Sequence, residues 1–214
     1  MMPRRREFLA TTVASLTGLA ALELARPVAA FAGTNASTWD MTWLDQLKGK
    51  NRQVFDCQSL EMPLLVVTNY LDASKEVYGY EYPEVDVILG IAGKAFPINA
   101  GDALWAKYEI GRRWNVKDPA TGQFATKNIW LEGTKMRGKD VGVKPLMARG
   151  AIFWQCNNAL NGITGEIATD TKQPFDQLKA ELVAGLNPGV KVVVAHTYMI
   201  GQAQQHGCSY EMIG

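Results

Sequence analysis

The chain has few of the side chains that usually bind metal ions or hold cofactors. It contains only two histidines and three cysteines in 214 residues. None of them is spaced as C-x-x-C or H-x-x-x-H, the spacings typical of zinc sites. It also has no G-x-G-x-x-G fingerprint and no phosphate-binding loop ending in Lys-Ser or Lys-Thr. We therefore predict a protein without a metal, a nucleotide or any other cofactor.

Clustered charge and long apolar runs are also missing. The formal net charge is +1, and the basic residues are not grouped as on a nucleic-acid-binding face, so we expect no nucleic-acid partner. No apolar run reaches the roughly 20 residues of a membrane span. The cysteine count is odd, so at least one thiol is free or pairs with another molecule.

The N-terminus has the order of features expected of an export signal. Arginines at positions 4–6 precede Phe8, an alanine-rich apolar stretch follows over residues 9–22, and an A-x-A cleavage pattern ends at Ala32. We predict export to the periplasm by the twin-arginine pathway, with residues 1–32 removed and no membrane anchor left. Removal takes four of the 22 basic and two of the 21 acidic residues, so the mature net charge is about −1. The alternative is a basic tail on a cytosolic protein.

The rest of the chain alternates between strand and helix patterns. Residues 33–60 are polar and loosely patterned, and we predict an N-terminal extension followed by one α/β domain over residues 61–214. Short, mostly apolar or β-branched segments indicate strands at residues 54–57, 62–70, 86–91, 151–155, 190–195 and 209–213. Helix patterns occupy residues 99–114, 144–149, 174–185 and 198–206, and residues 115–140 are predicted to be a long loop.

This alternation predicts the fold class. Strands that alternate with helices form right-handed crossovers, and continuously apolar strands are typical of a sheet covered on both faces. We expect an open, mostly parallel sheet of five to six strands with helices on both faces. Gly150 is predicted to end the helix that precedes the fourth strand.

Two of the predicted strands end in residues capable of chemistry, Cys156 and His196. In an open parallel sheet, ligands bind at the carboxyl ends of the strands, and neighbouring strands lie about 5 Å apart. His196 would then deprotonate or orient the thiol. Asn157 and Asn158 would open a helical turn, whose free amide groups favour the thiolate. Alternatively, Cys156 is an inert buried thiol and His196 is held by hydrogen bonds in the crossover.

A non-catalytic binding module is the second interpretation of the same edge. Its pocket would be lined by Tyr78, Trp105 and Trp154, with the two asparagines beside it. It would hold a small ligand or a partner, and it predicts an unreactive Cys156. The residues alone leave open whether the protein is an enzyme.

The motifs at the strand ends resemble those of the DsrE/DsrF-like sulfur-relay superfamily. Residues 150–160 (GAIFWQCNNAL) match its strand-end cysteine, and residues 186–194 (LNPGVKVVV) match its Pro-Gly-Val start of the next strand. Residues 204–210 (QQHGCSY) match its closing Gln-x-x-Gly-x-x-Tyr pattern. Residues 95–108 (AFPINAGDALWAKY) are similar to exported, uncharacterised members, and the resemblance extends over residues 60–213.

The resemblance implies a function as well as a fold. It implies a mainly parallel sheet, a homo-oligomer that is often a trimer or hexamer, and a cysteine that carries persulfide sulfur between a donor and an acceptor protein. Cys156 is the one residue carried over to that role. This chain departs from the pattern at residues 90–93 (GIAG), where many relatives have a histidine, and at His196, where relatives often have a small residue. The well-studied sulfur carriers are also cytoplasmic, whereas this chain has an export signal.

Overall fold

Five parallel strands form the central sheet of the computed structural model, which describes residues 39–214. In chain order they are β1 (Asn51–Cys57), β2 (Val85–Ile91), β5 (Ile152–Cys156), β6 (Lys191–Val193) and β7 (Ser209–Ile213), while β3 (Thr134–Met136) and β4 (Lys139–Val141) form a separate hairpin. The sheet order is β6-β5-β2-β1-β7. The predicted open, parallel α/β sheet is confirmed. The predicted export signal lies outside the described residues.

Helices connect these strands and cover the sheet. They are α1 (Pro63–Tyr78), α2 (Phe96–Asn99), α3 (Asp102–Lys107), α4 (Ile110–Arg113), α5 (Val143–Ala148), α6 (Asn157–Thr171), α7 (Phe175–Ala184) and α8 (His196–Gln205). A short 3-10 helix, Thr42–Gln46, precedes β1. Within residues 39–214, none of the helices combines the length and the apolar character needed to cross a bilayer.

The strand order explains why helices lie on both faces of the sheet. The connections from β1 to β2, β5 and β6 all step towards one edge, whereas the connection from β6 to β7 returns to the opposite edge. Right-handed crossovers therefore place α8 on the face opposite α1, α6 and α7. The core agrees, because Leu64 and Leu160 pack with Phe55 in one cluster, while Met199 packs with Val54 in another. Successive residues of β1 thus point to opposite faces.

Residues 62–70 begin helix α1, so the strand predicted there is wrong. Pro63 occupies the first turn, where a missing amide hydrogen costs nothing. The buried side chains recur with helical spacing, at Leu64, Val67, Thr68 and Leu71. A short, mostly apolar segment fits a buried strand as well as one face of a helix, so its composition alone could not separate the two. Residues 51–57, which the sequence analysis placed in an N-terminal extension, form the strand between β2 and β7.

The segment between β2 and β5 is more broken than the sequence indicated. The predicted helix over residues 99–114 is divided into α3 and α4 by Glu109, which has a left-handed backbone with φ 49°. The predicted loop over residues 115–140 contains β3 and the start of β4. The side-chain amide of Asn128 connects this segment to the residues after β2 by donating to the carbonyl oxygens of Ile98 (3.0 Å) and Ala100 (2.8 Å).

Glycine ends helix α5, as predicted. Gly150 has φ +86°, a conformation that side chains with a Cβ rarely adopt. A Cβ at this position would lie 2.3 Å from Cδ2 of Tyr82, so the close packing also requires glycine. At the other end of the domain, β6 stops at Val193 and α8 begins at His196, although the sequence indicated a strand through residue 195. His196 is therefore the first residue of a helix.

Candidate functional site

Cys156 lies at the carboxyl end of β5 and caps the amino end of α6. Its backbone is extended, and its Sγ accepts a hydrogen bond from the Ala159 amide, with a donor-to-sulfur distance of 3.5 Å. A cysteine in this position replaces the serine or aspartate that more often caps a helix. The first amide groups of a helix have no partner inside the helix, so they are free to bind the sulfur.

A second helix directs its amino end at the same sulfur. Strands β5 and β6 pair with Cys156 opposite Val193, which brings the start of α8 next to Cys156. The His196 backbone amide donates to Sγ at 3.3 Å. The positive ends of two helix dipoles therefore converge on one thiol, and both favour its negatively charged form.

Lys179 of helix α7 adds a positive charge near this thiol. Its ammonium donates to the Asn157 side-chain oxygen at 2.7 Å and to the side-chain oxygen of Asn161. Burial lowers the pKa of Lys179, and the nearby Cys156 opposes this effect. The predicted pocket residue Asn157 thus holds the lysine beside the sulfur, while Asn158 is exposed.

The His196 imidazole makes its contacts away from the sulfur. Its Nε2 lies 2.8 Å from Oδ1 of Asp56, and the Trp154 indole donates to its Nδ1 at 3.2 Å. An indole nitrogen can only donate, so this network assigns the neutral tautomer with its proton on Nε2. The structure therefore brings His196 to Cys156 through its backbone, and both ring nitrogens are already occupied by other partners.

A row of three residues across neighbouring strands holds this imidazole. Asp56 of β1, Gly90 of β2 and Trp154 of β5 are in register with one another. The ring lies over the glycine and joins the residues on either side. A Cβ on Gly90 would lie 2.6 Å from Cζ2 of Trp154 and 3.1 Å from Cε1 of His196. Glycine is needed at the middle of the row to leave room for both rings.

Asp56 is a functional candidate that the sequence analysis missed. It is buried, and no lysine or arginine among residues 39–214 pairs with it. Besides His196, it accepts hydrogen bonds from the Gln58 amide at 2.5 Å and the Tyr210 hydroxyl at 3.1 Å. Desolvation and the bond to Asp56 raise the pKa of Tyr210. The available signal was an aspartate within the otherwise apolar segment 54–57, where a charge is costly unless hydrogen bonds compensate for it.

The other two cysteines lie in surroundings that oppose ionisation. All three cysteines are free and buried. Burial raises the pKa of Cys57 far above its ordinary value, and the charge of Asp56 adds to the effect. Burial raises the pKa of Cys208 to about 11, with Arg52 partly opposing the shift. Neither thiol is prepared for nucleophilic chemistry.

An open groove of about 620 Å³ borders the Cys156 site. Ala159, whose amide contacts the sulfur, lines this groove together with Trp114. Lys94 places positive charge along it and Glu166 negative charge, while the lining residue Arg113 is paired with Asp170 at 2.6 Å. Cys156 itself is only 4% exposed, so a reagent must be small or the edge of the sheet must open slightly to admit it.

The three aromatic residues predicted to line one pocket lie in separate places. Trp105 is fully buried, and its indole donates to the Pro97 carbonyl oxygen at 3.1 Å. Trp154 is also fully buried, but it belongs to the core cluster on the α8 face. Tyr78 is 63% exposed at the end of α1 and stacks on Tyr80. Only Trp154 of the three contacts the site.

The described part of the chain offers no metal site. Among residues 39–214, no three histidine, cysteine, aspartate or glutamate side chains are grouped closely enough to hold an ion. At this edge of the sheet the structure places the thiol, its amide donors and the buried Asp56–His196 pair.

Comparison with known proteins does not assign the chain to a family. No family model and no curated protein matches it. Among solved structures, it is similar to the protein of unknown function MTH1491 from Methanobacterium thermoautotrophicum, at 13% identity and a TM-score of 0.38. The match covers 76% of this chain and 99% of the other. A similarity this remote supports no argument about function.

Proposed function

We propose that the protein carries sulfur on Cys156, accepting a sulfane sulfur atom as a persulfide and passing it to an acceptor. The observation that supports this most directly is the pair of amide donors on Sγ, from Ala159 in α6 and His196 in α8. Hydrogen bonds to a charged sulfur are stronger than those to a neutral thiol. Such a site therefore stabilises both the thiolate that attacks the donor and the persulfide anion that remains.

The charge around the site also favours an anionic sulfur donor. Lys179 interacts electrostatically with Cys156, and Lys94 lines the adjacent groove. Thiosulfate and polysulfide are anions with a transferable sulfur atom. With thiosulfate, the Cys156 thiolate attacks the outer sulfur, the S–S bond of the donor breaks, and sulfite leaves with the bonding electron pair. The product is a cysteine persulfide anion, and the step needs no external oxidant.

Export to the periplasm and assembly into a homo-oligomer complete the proposal. The arginine pair, apolar stretch and Ala32 cleavage pattern support twin-arginine export. The resemblance of the strand-end motifs to sulfur-relay proteins supports a trimer or hexamer and a separate protein as donor or acceptor.

Mass spectrometry tests the sulfur-carrier proposal directly. The protein is incubated with thiosulfate or polysulfide, and the intact mass and Cys156 peptide are measured. We expect an added mass of about 32 Da on Cys156, the signature of persulfidation. A Cys156→Ser variant should lose the adduct, and a Cys208→Ser variant should keep it. An unmodified wild type, or an equal adduct on the Cys156→Ser variant, would show that the proposal is wrong.

A non-catalytic binding module is the alternative, and the groove beside α6 is the observation that favours it. Its volume of about 620 Å³ suits a small ligand, and Trp114 offers an aromatic surface. This alternative predicts that Cys156→Ser leaves ligand binding unchanged. The sulfur-carrier proposal predicts that the same substitution abolishes function.

A further inference from the structure

The imidazole ring of His196 is held by several contacts that play no direct part in the hydrogen bond between the His196 amide and the sulfur. The backbone amide alone donates to Sγ, yet the ring is buried, carries a hydrogen bond on each nitrogen and crosses three strands. Because the ring and the amide belong to one residue, fixing the ring also fixes the first residue of α8. The ring is held by Asp56 of β1 and Trp154 of β5, whereas the amide contacts the sulfur of Cys156 at the carboxyl end of β5.

We infer that Asp56, Gly90 and Trp154 are positioning residues, which act through the His196 side chain to hold the amino end of α8 against Cys156 Sγ. We call these three residues and the His196 ring the imidazole clamp. The inference rests on the proposed role of Cys156 as a reactive thiolate, and it adds the device that sets its reactivity. None of the three positioning residues needs to touch the sulfur donor.

The hydrogen bond from α8 to Sγ depends on the position of the first turn of the helix. A helix held only by its backbone can shift at its first turn, because terminal residues fray. An amide-to-sulfur distance of 3.3 Å is sensitive to such a shift, since hydrogen bonds weaken steeply with poor alignment. The clamp attaches that first residue to the middle of the sheet, on the Asp56–Gly90–Trp154 row.

The clamp also decides which atoms of His196 can act on the thiol. The clamp fixes the neutral ring by giving Nδ1 a donor and Nε2 an acceptor. A ring held in this way cannot take the proton of Cys156, so His196 contributes a fixed amide instead of a base. Among the charged or titratable groups nearby, Lys179 of α7 interacts electrostatically with the thiol. Asp56 of β1 is paired with the His196 ring and accepts a hydrogen bond from the Tyr210 hydroxyl.

The clamp requires glycine at the centre of the Asp56–Gly90–Trp154 row. A Cβ at Gly90 would approach Trp154 to 2.6 Å and His196 to 3.1 Å, so a single methyl group displaces both rings. Gly201, on α8, differs from Gly90 of β2 because a Cβ there would meet nothing within 4 Å. The two glycines therefore form a matched pair for testing the clamp.

Trp154→Phe and Gly90→Ala test the inference, with Trp43→Phe and Gly201→Ala as controls. Trp43 packs against Trp154 in the same core cluster, at 6.3 Å between ring centroids, but its indole nitrogen has no hydrogen-bond partner. Alkylation of Cys156 is followed by peptide mass spectrometry from pH 5 to 9. We expect both clamp variants to react about tenfold more slowly at pH 7, with rate profiles displaced to higher pH, as weakening one charge-assisted hydrogen bond predicts. The controls should keep the wild-type profile.

Each result distinguishes the clamp from the proposed function. Unchanged profiles in both clamp variants, or equal displacement in Trp43→Phe, would overturn the inference while leaving persulfide formation intact. A displaced profile with no persulfide on the wild type would support the clamp and remove the sulfur-carrier function. If neither clamp variant folds, nitrogen NMR of wild-type His196 decides. A proton on Nε2 alone supports the clamp, and a proton on Nδ1 overturns it.

Discussion

Selective labelling of one cysteine out of three is the sharpest prediction from this structure. Burial raises the pKa of Cys208 from 9.0 to about 11, so its thiolate fraction at pH 7 falls roughly a hundredfold below that of an ordinary thiol. The pKa of Cys57 is raised further. Cys156, with two amide donors on its sulfur, is expected to be the site that a small alkylating agent modifies in the native protein.

The assay compares native and unfolded protein. Iodoacetamide is added at pH 7, the reaction is stopped at intervals, and the modified cysteines are identified by peptide mapping. The native wild type should take up one label at Cys156, the native Cys156→Ser variant almost none, and the denatured wild type three. All three thiols are buried, so labelling of Cys57 or Cys208 as fast as Cys156 would refute the reasoning, because the amide donors on Cys156 would then not decide which thiol reacts.

Two further predictions concern stability. Gly150→Ala should lower the free energy of unfolding by about 2–4 kcal/mol, because it combines left-handed backbone strain with a clash against Tyr82. Gly122→Ala is the control: its φ is +71° and a Cβ would meet nothing within 4 Å, so it should lower the free energy of unfolding by only about 1 kcal/mol. Equal losses for the two variants in urea denaturation would contradict this. The raised pKa of Cys208 contributes stability that is complete below about pH 9 and is lost as the pH rises towards 11, a loss of about 1–2 kcal/mol after allowance for solvent screening. A Cys208→Ala variant should have a shallower alkaline slope than the wild type, with the rest of the loss due to Cys57, whose pKa is also raised; an unchanged slope would show that Cys208 does not contribute to it.

The sequence predicted those elements whose signals are local and consistent. The strand of Ile152–Cys156 is apolar except for Gln155, and Gly150 marks the helix end before it, so both were predicted correctly. The strand predicted at residues 62–70 failed because a short apolar run carries no period of its own. Pro63 was read as the opening of a strand, although proline is equally common in the first turn of a helix.

The site was predicted in part. Cys156 at a helix start could be read from the sequence, because the strand pattern ends at that residue and polar residues follow. The direction of the His196 ring could not, because it depends on Asp56 and Trp154, which lie 140 and 42 residues away in the chain. Only the strand register brings these three side chains together. The same register gives Gly90 its importance, which composition cannot show.

The return of the chain from one edge of the sheet to the other has a consequence for biosynthesis. Strand β7, at residues 209–213, flanks β1, one of the earliest elements described, and α8 immediately precedes it. A growing polypeptide that has not yet reached Ser209 leaves the outer edge of β1 bare and α8 without its final anchor. The helix that donates to Cys156 Sγ is therefore flanked by its last neighbouring strand only after nearly the whole domain has been synthesised.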